Sequence, residues 1–439
     1  MSAEPMPPEG FDRRAVDALD AKPIPATTKG FGGVGPQATT PAALLAAETR
    51  LFGGTFTFPL LTLRGSAVAQ NIAHMNQFCT DHHVRLAPHA KTTMAPHLFA
   101  AQLASGAWGL TVASITQAQV CRQFGVRRLL LANEVVDRAG IAWLAAEHRT
   151  HSSVDLICYV DSVEGVGLLD AGMVSAAGPA GDRRLGVLVE LGFDGGRTGC
   201  RSLEVARSVV TAVHESAMLS IAGVAGYEGG LAHDRSAGSE ALVRAFCRSL
   251  VGFATELTAA GGTAPAGALL VSAGGSAFPD LVAESLAEAT QWATVVLRSG
   301  CYVTHDDGVY AGISPFTEAS GSAYALTAAL ELWAPVLSRP EPGLAILGAG
   351  RRDAGFDQGF PVPLRRRDHG GALSPLIGAQ VTQLNDQHAY LDLPPGTDLA
   401  VGDLVGLGVS HPCTTIDRWP YLVEIDDTDR VSGIFPTFF

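Results

Sequence analysis

Lysine is almost missing from this chain of 439 residues: it occurs only as Lys22, Lys29 and Lys91, so a single lysine follows residue 30. Arginine fills nearly all of the 30 basic positions, and against 43 acidic ones the net charge is −13. That balance excludes the electrostatic footprint of a nucleic-acid or anionic-membrane binder. Charged residues make up only 17% of the chain against 47% hydrophobic, which excludes a disordered or coiled-coil protein. No stretch approaches the roughly 18 uninterrupted apolar residues that a membrane-spanning helix needs. The N-terminus has no basic segment followed by an apolar run, so the sequence reads as soluble and cytoplasmic. The seven cysteines, Cys79, Cys121, Cys158, Cys200, Cys247, Cys301 and Cys413, are odd in number and include no CxxC pair. A disulfide framework is thereby excluded, and most of them read as small buried thiols.

What is present suits a large domain with a second one attached. Residues 1 to about 40 are rich in Pro, Gly, Ala and Thr, a composition that reads as an arm and not as a core element. Short apolar runs then alternate with amphipathic stretches, at 84–87, 108–112, 129–132, 154–160, 185–191, 221–226, 268–271 and 293–297. Eight strand candidates separated by helix candidates predict a (βα)8 TIM-like barrel. After about Pro315 the pattern changes to alternating strands with turn signals such as Asn385-Asp386 and Pro394-Pro395-Gly396, which predicts a mainly β C-terminal domain. The expected division is an arm over 1–54, an α/β barrel over 55–312 and the β domain over 313–439.

Barrel chemistry sits at the C-terminal ends of the strands, and several motifs fall there. Arg85-Leu86-Ala87-Pro88-His89-Ala90-Lys91-Thr92-Thr93 puts one lysine where an apolar strand gives way to a small-residue loop. A lone lysine after a strand is ordinarily a surface group, but a chain this poor in lysine did not place it there for solubility. Burial of such an amine favours its neutral, nucleophilic form. Ser272-Ala273-Gly274-Gly275-Ser276 could offer convergent backbone N–H groups to a phosphate, or be an ordinary strand-to-helix turn. In Ser410-His411-Pro412-Cys413-Thr414, an imidazole and a thiolate two positions apart point the same way if the segment is extended. They could then share a soft divalent ion, although this spacing alone arises by chance more often than not.

Together these motifs resemble fold type III pyridoxal phosphate enzymes of the alanine racemase type, in the branch that holds D-threonine aldolases and eukaryotic-type D-serine dehydratases. Pro88-His89-Ala90-Lys91-Thr92 is similar to the family's P-H-x-K-T, which implies that Lys91 carries pyridoxal phosphate covalently, with His89 beside it. The chain continues Thr93-Met94 where the family often has His-Lys. Gly274, Gly275 and Ser276 resemble the dehydratases' phosphate loop. Arg298-Ser299-Gly300-Cys301-Tyr302 resembles their R-P-G-x-Y segment, which implies phosphate contacts from the Gly300 and Cys301 amides and Arg298 near the pyridine nitrogen. Residues 190–199 resemble the acidic, glycine-rich loop ending in R-x-G, which implies Arg197 near the phenolic oxygen; pairing with Glu190 or Asp194 is the alternative. Tyr227 follows a strand at the same face and either contacts the ring or belongs to the core.

By the same resemblance His411 and Cys413 hold Zn²⁺, with Mn²⁺ or another divalent ion as the alternative. In the family, the segment near 55–63 also joins the β domain. The implied activity is β-elimination from a small D-amino acid, D-serine above all, to a keto acid and ammonia. D-threonine aldolase chemistry is the alternative, and 3-hydroxyaspartate dehydration is a substrate variant. A non-catalytic pyridoxal phosphate carrier shares the barrel and lysine but lacks the β domain and the H-x-C motif. A racemase needs a second base, and none is identified. The resemblance also implies a homodimer.

Overall fold

The computed structural model describes residues 10–35, 38–177, 183–259 and 268–439. Residues 1–9 and 36–37 of the expected arm lie outside the described residues. The strands in chain order are β1 (Leu60–Arg64), β2 (Arg85–Leu86), β3 (Leu110–Val112), β4 (Arg128–Glu134), β5 (Asp155–Val160), β6 (Leu185–Leu191), β7 (Leu219–Gly226), β8 (Leu270–Ser272) and β9 (Thr294–Leu297). They continue with β10 (Leu330–Glu341), β11 (Leu344–Leu347), β12 (Val362–Arg367), β13 (Leu373–Pro375), β14 (Gln380–Leu384), β15 (Ala389–Asp392), β16 (Leu404–Gly408), β17 (Tyr421–Ile425) and β18 (Val431–Pro436). The chain divides into two compact units, one of Met1–Asp12, Met75–Lys91 and Phe99–Gly300, the other of Arg13–His74, Thr92–Leu98 and Cys301–Phe439.

In the first unit, β2 to β9 form one parallel sheet in the order β2-β9-β8-β7-β6-β5-β4-β3. It curls until β2 meets β3, where Trp108 N donates to Leu86 O at 2.7 Å and His89 bridges Thr111 in parallel. These are the eight apolar runs of the sequence. A parallel strand covered on both faces reads as a continuous hydrophobic stretch, as in Asp-Leu-Ile-Cys-Tyr-Val of β5, where every residue after Asp155 is buried. The interior is filled by Ala87, Leu130, Ile157, Tyr159, Leu188, Ala222, Ala225, Leu270 and Val296. Helices cover the sheet with one apolar face. Helix Leu203–Glu215 buries Ala206, Val209, Val210 and Val213, and the Ser202 hydroxyl caps it by accepting from Val205 N. Together with the second unit's antiparallel sheet, this is the expected fold class.

In the second unit β1 pairs antiparallel with β10, Leu60 opposite Trp333, and parallel with β17, Thr62 opposite Val423. The sheet runs β13-β12-β16-β10-β1-β17-β18, with β11, β15 and β14 extending from β10. Described residues of the Pro/Gly-rich N-terminal segment are built into this unit. Leu19, Ile24 and Phe31 are fully buried, and Phe31 meets Phe56 and Tyr421 edge-on at 5.5 and 5.6 Å. Composition concealed this because the anchors are single residues without a period. No helix among the described residues is long and apolar enough to cross a membrane. Truncating Phe31 to Ala should destabilise the protein by about 3–5 kcal/mol. Denaturant unfolding checks this, and an unchanged midpoint would mean that the segment does not contribute to the core.

Candidate active site

The turn Ala90–Thr92 that follows β2 carries Lys91, half-buried. Lys29 pairs with Asp353 Oδ1 at 2.7 Å, whereas no described residue pairs with the Lys91 amine. Two residues earlier, His89 Nδ1 is buried without a hydrogen-bond partner. Burial pushes the His89 pKa well below its ordinary value, and the positive charges of Lys91, Arg298 and Arg197 add to the effect. The imidazole is therefore neutral at physiological pH. Arg298, only 3% exposed, donates to Ser272 Oγ and to Gly226 O, both at 2.7 Å. Arg197 is exposed and lies over the Tyr227 ring, 4.6 Å from its centroid. Neither Glu190 nor Asp194 pairs with it. The loop around it is held by Arg201, whose guanidinium donates to the carbonyls of Gly196, Arg197, Thr198 and Gly199. Lys91, His89, Arg197, Tyr227 and Arg298 all belong to the first unit.

The Gly274–Gly275 amides differ from expectation. They donate to the carboxylate of fully buried Glu228, at 3.0 and 2.7 Å. An internal carboxylate thus takes the two amides that were expected to meet a phosphate. Both glycines are required: Gly274 has φ +93°, and a Cβ on Gly275 would come within 2.9 Å of the Tyr227 ring. Sequence reasoning saw the donors but not this acceptor.

It also missed a carboxyl cluster. Glu134 ends β4, Asp161 follows β5 and Glu190 lies near the end of β6, with one oxygen from each within 4.8 Å of the others. Burial, then the charges of Glu190 and Asp161, push the Glu134 pKa up to about 8. Burial pushes the pKa of neighbouring Tyr159 to about 12, so it remains a phenol. A carboxylate at a barrel strand's C-terminal end is the signal that could have flagged Glu134.

In the second unit His411 is extended and precedes the one-turn helix Pro412–Ile416. The motif is thus a strand-to-helix corner and not the extended segment expected from its spacing. Pro412 starts that turn because its fixed φ suits the first helical position and its missing N–H is not needed there. The imidazole and thiol are brought together all the same. His411 Nδ1 lies 2.7 Å from Asp357 Oδ2, and Thr414 Oγ1 donates to Asp357 Oδ1 at 2.6 Å. Burial opposes charge on His411, but the Cys413 thiolate and Asp357 outweigh it and hold its pKa at about 9. Cys413 is shifted well down, by the hydrogen bond from Cys301 and, against the effect of burial, by contacts with His411 and Thr92. Asp357 was not foreseen, and nothing at positions 356–359 marks it. A cavity of about 370 Å³ in this unit, lined by Thr62, Arg64, Asp307, Glu331 and Arg365 among others, includes none of the candidate residues.

Residues 63–277 match the alanine racemase N-terminal domain family, and residues 329–425 match the serine dehydratase domain family. The chain belongs to the fold type III pyridoxal phosphate family, in its D-serine dehydratase and D-threonine aldolase branch. It is 25% identical over 371 residues to a D-threonine aldolase of Arthrobacter sp., covering 84% of this chain and 89% of that protein. Identity to the D-threo-3-hydroxyaspartate dehydratase of Delftia sp. (strain HT23) is 26% over 385 residues, or 83% and 93% of the two chains. Among solved structures, the D-threonine aldolase of Filomicrobium marinum superposes with a TM-score of 0.72 at 23% identity, covering 87% of this chain and 95% of that one.

The residues fit the groups that a fold type III chain of this branch implies. An unpaired half-buried amine, an orphaned imidazole nitrogen and a buried guanidinium suit an anionic heteroaromatic aldehyde. A thiolate beside an imidazole, with the imidazole's far nitrogen held by a carboxylate, suits a soft divalent ion.

Glu134 supplies a pH dependence. Its carboxyl keeps its proton in the folded protein up to about pH 8, but in the unfolded chain only to about 4.5. The folded state binds the extra proton in that window, so stability falls as pH rises through it. A Glu134→Gln variant should melt above wild type at pH 9 and lose that advantage at pH 4.5. An advantage equal at both pH values would contradict the assignment.

Proposed function

We propose that the chain is a pyridoxal phosphate- and zinc-dependent lyase that converts a D-3-hydroxy amino acid to a keto acid and ammonia by β-elimination, with D-serine as the first substrate to test. The observation that carries this reading is the pairing of the Cys413 sulfur with His411, whose Nδ1 Asp357 holds at 2.7 Å, a sulfur and imidazole donor set that favours zinc over harder ions. The similarity to an aldolase and to a dehydratase supports a lyase acting on a D-3-hydroxy amino acid. When bound, pyridoxal phosphate supplies an electron sink for the α-carbon and zinc supplies Lewis acidity towards a hydroxyl.

The protein's own groups then have distinct tasks. The Lys91 amine anchors the cofactor and, once released, moves the proton at the substrate α-carbon. His89 stays neutral and cannot pair with the cofactor's anionic groups as a cation. Ser276, Gly300 and Cys301 are proposed for the phosphate. Arg298, held by Ser272 and Gly226, presents a fixed positive charge. Asp357 fixes the His411 tautomer, directing Nε2 and not Nδ1 to the ion. Removal of the α-proton and departure of the β-hydroxyl as water give an enamine, whose hydrolysis returns the water and releases ammonia; D-serine yields pyruvate.

Retro-aldol cleavage is the rival, since the same proton-moving groups would serve it. Supplying D-serine and D-threonine separately distinguishes them. Pyruvate and 2-oxobutanoate are expected, whereas glycine with acetaldehyde from D-threonine, and no keto acid, would establish the aldolase. Chelation should abolish turnover while leaving the cofactor's visible absorption intact; full activity in metal-free protein would refute the zinc role. The active species is proposed to be a homodimer. Light scattering that returned 45.6 kDa for fully active protein would overturn that.

A further inference from the structure

We propose that Cys301 is a third protein ligand of the divalent ion, so that the metal centre is Cys301, Cys413 and His411 and not the pair suggested by the His411-x-Cys413 spacing. The inference rests on the metal reading above. Cys301 Sγ lies 3.4 Å from Cys413 Sγ. That is far beyond the roughly 2.05 Å of a disulfide. It is close to the roughly 3.8 Å that separates two sulfurs bound to one tetrahedral zinc at about 2.3 Å each. A few tenths of an ångström of side-chain movement brings both onto one ion.

The surroundings aim these groups at each other. Cys301 is buried and opens the one-turn helix Cys301–Val303, where its carbonyl accepts from His305 N at 2.7 Å. Its backbone is therefore fixed, and its thiol reaches Cys413 across 112 residues of sequence. The Thr92 hydroxyl lies 3.5 Å from Cys413 Sγ and 4.0 Å from Cys301 Sγ, so one polar group touches both sulfurs. Asp357 occupies His411 Nδ1, leaving Nε2 for the ion. Of the described residues, only Glu134, Asp161 and Glu190 have three ligand atoms all within 4.8 Å of one another. The sulfur and imidazole set is wider, and on this account loading gathers it by rotation of the Cys413 and His411 side chains. Three protein ligands leave one tetrahedral position for a substrate hydroxyl, the arrangement of a catalytic zinc. A second thiolate also moves selectivity further towards soft ions.

The test uses the full-length protein, stripped with a chelator and reloaded with Co²⁺ or Zn²⁺. Two thiolates on cobalt give a near-ultraviolet sulfur-to-cobalt absorption about twice that of one. Wild type should show the stronger band and Cys301→Ser about half of it. Zinc affinity of Cys301→Ser, read by competition with a chromophoric chelator, should fall at least about tenfold, the lower bound for losing even an outer-shell partner of a ligand. If Cys301→Ser keeps the wild-type band and affinity while His411→Ala loses the ion, Cys301 is not a ligand and the two-residue site stands. If wild type takes up no cobalt or zinc, the metal reading itself falls, and this inference with it. Should Cys301→Ser fail to fold, X-ray absorption at the zinc edge of wild type counts sulfurs directly: two are expected, and one overturns the proposal.

Discussion

Desolvation is the constraint round which both candidate sites are arranged. In a chain with 17% charged residues, most ionisable groups in the interior have little water to fall back on, and a buried charge without a partner is strongly disfavoured. Arg298 is accommodated because Ser272 and the Gly226 carbonyl take its N–H groups. Its retained charge, with those of Lys91 and Arg197, reinforces the burial that keeps His89 neutral. Burial and the like charges of Glu190 and Asp161 keep Glu134 protonated. One end of the barrel thus carries a fixed cation, a neutral imidazole and a protonated carboxyl, each held in that state by its neighbours.

The same constraint has a different outcome in the second unit. There burial is overcome by pairing: thiolate and imidazolium stabilise each other, Asp357 supports the imidazole, and Cys301 and Thr92 contact the thiolate. A soft divalent cation that displaced two protons, one from the imidazolium and one from the Cys301 thiol, would leave the net charge of that cluster unchanged. This makes the cluster a suitable place for an ion even though its sequence spacing is ambiguous.

The barrel was legible because burial on both faces turns its strands into uninterrupted apolar runs, and β2 to β9 all fall on them. Scarcity singles out Lys91 as the proposed anchor, since a chain that otherwise uses arginine marks its one late lysine. The partners of these residues were not legible. Asp357 is 54 residues from His411, Cys301 is 112 from Cys413, and Glu228 is 46 from Gly274. Only folding brings them together, and a single sequence contains no periodicity that pairs them. The Ser272–Ser276 loop illustrates the point: its glycines advertise donors, while the acceptor that satisfies them belongs to another strand's loop.

The central claim is that Lys91 is the covalent anchor for pyridoxal phosphate, and trapping tests it most directly. Borohydride reduction of the yellow protein followed by peptide mass spectrometry should find the pyridoxyl group on Lys91 alone. A Lys91→Ala variant should carry none and lose at least about 10²–10⁴ in turnover, the contribution of one positioned proton-transfer group. Modification found on Lys22 or Lys29, or full turnover in the variant, would contradict the account.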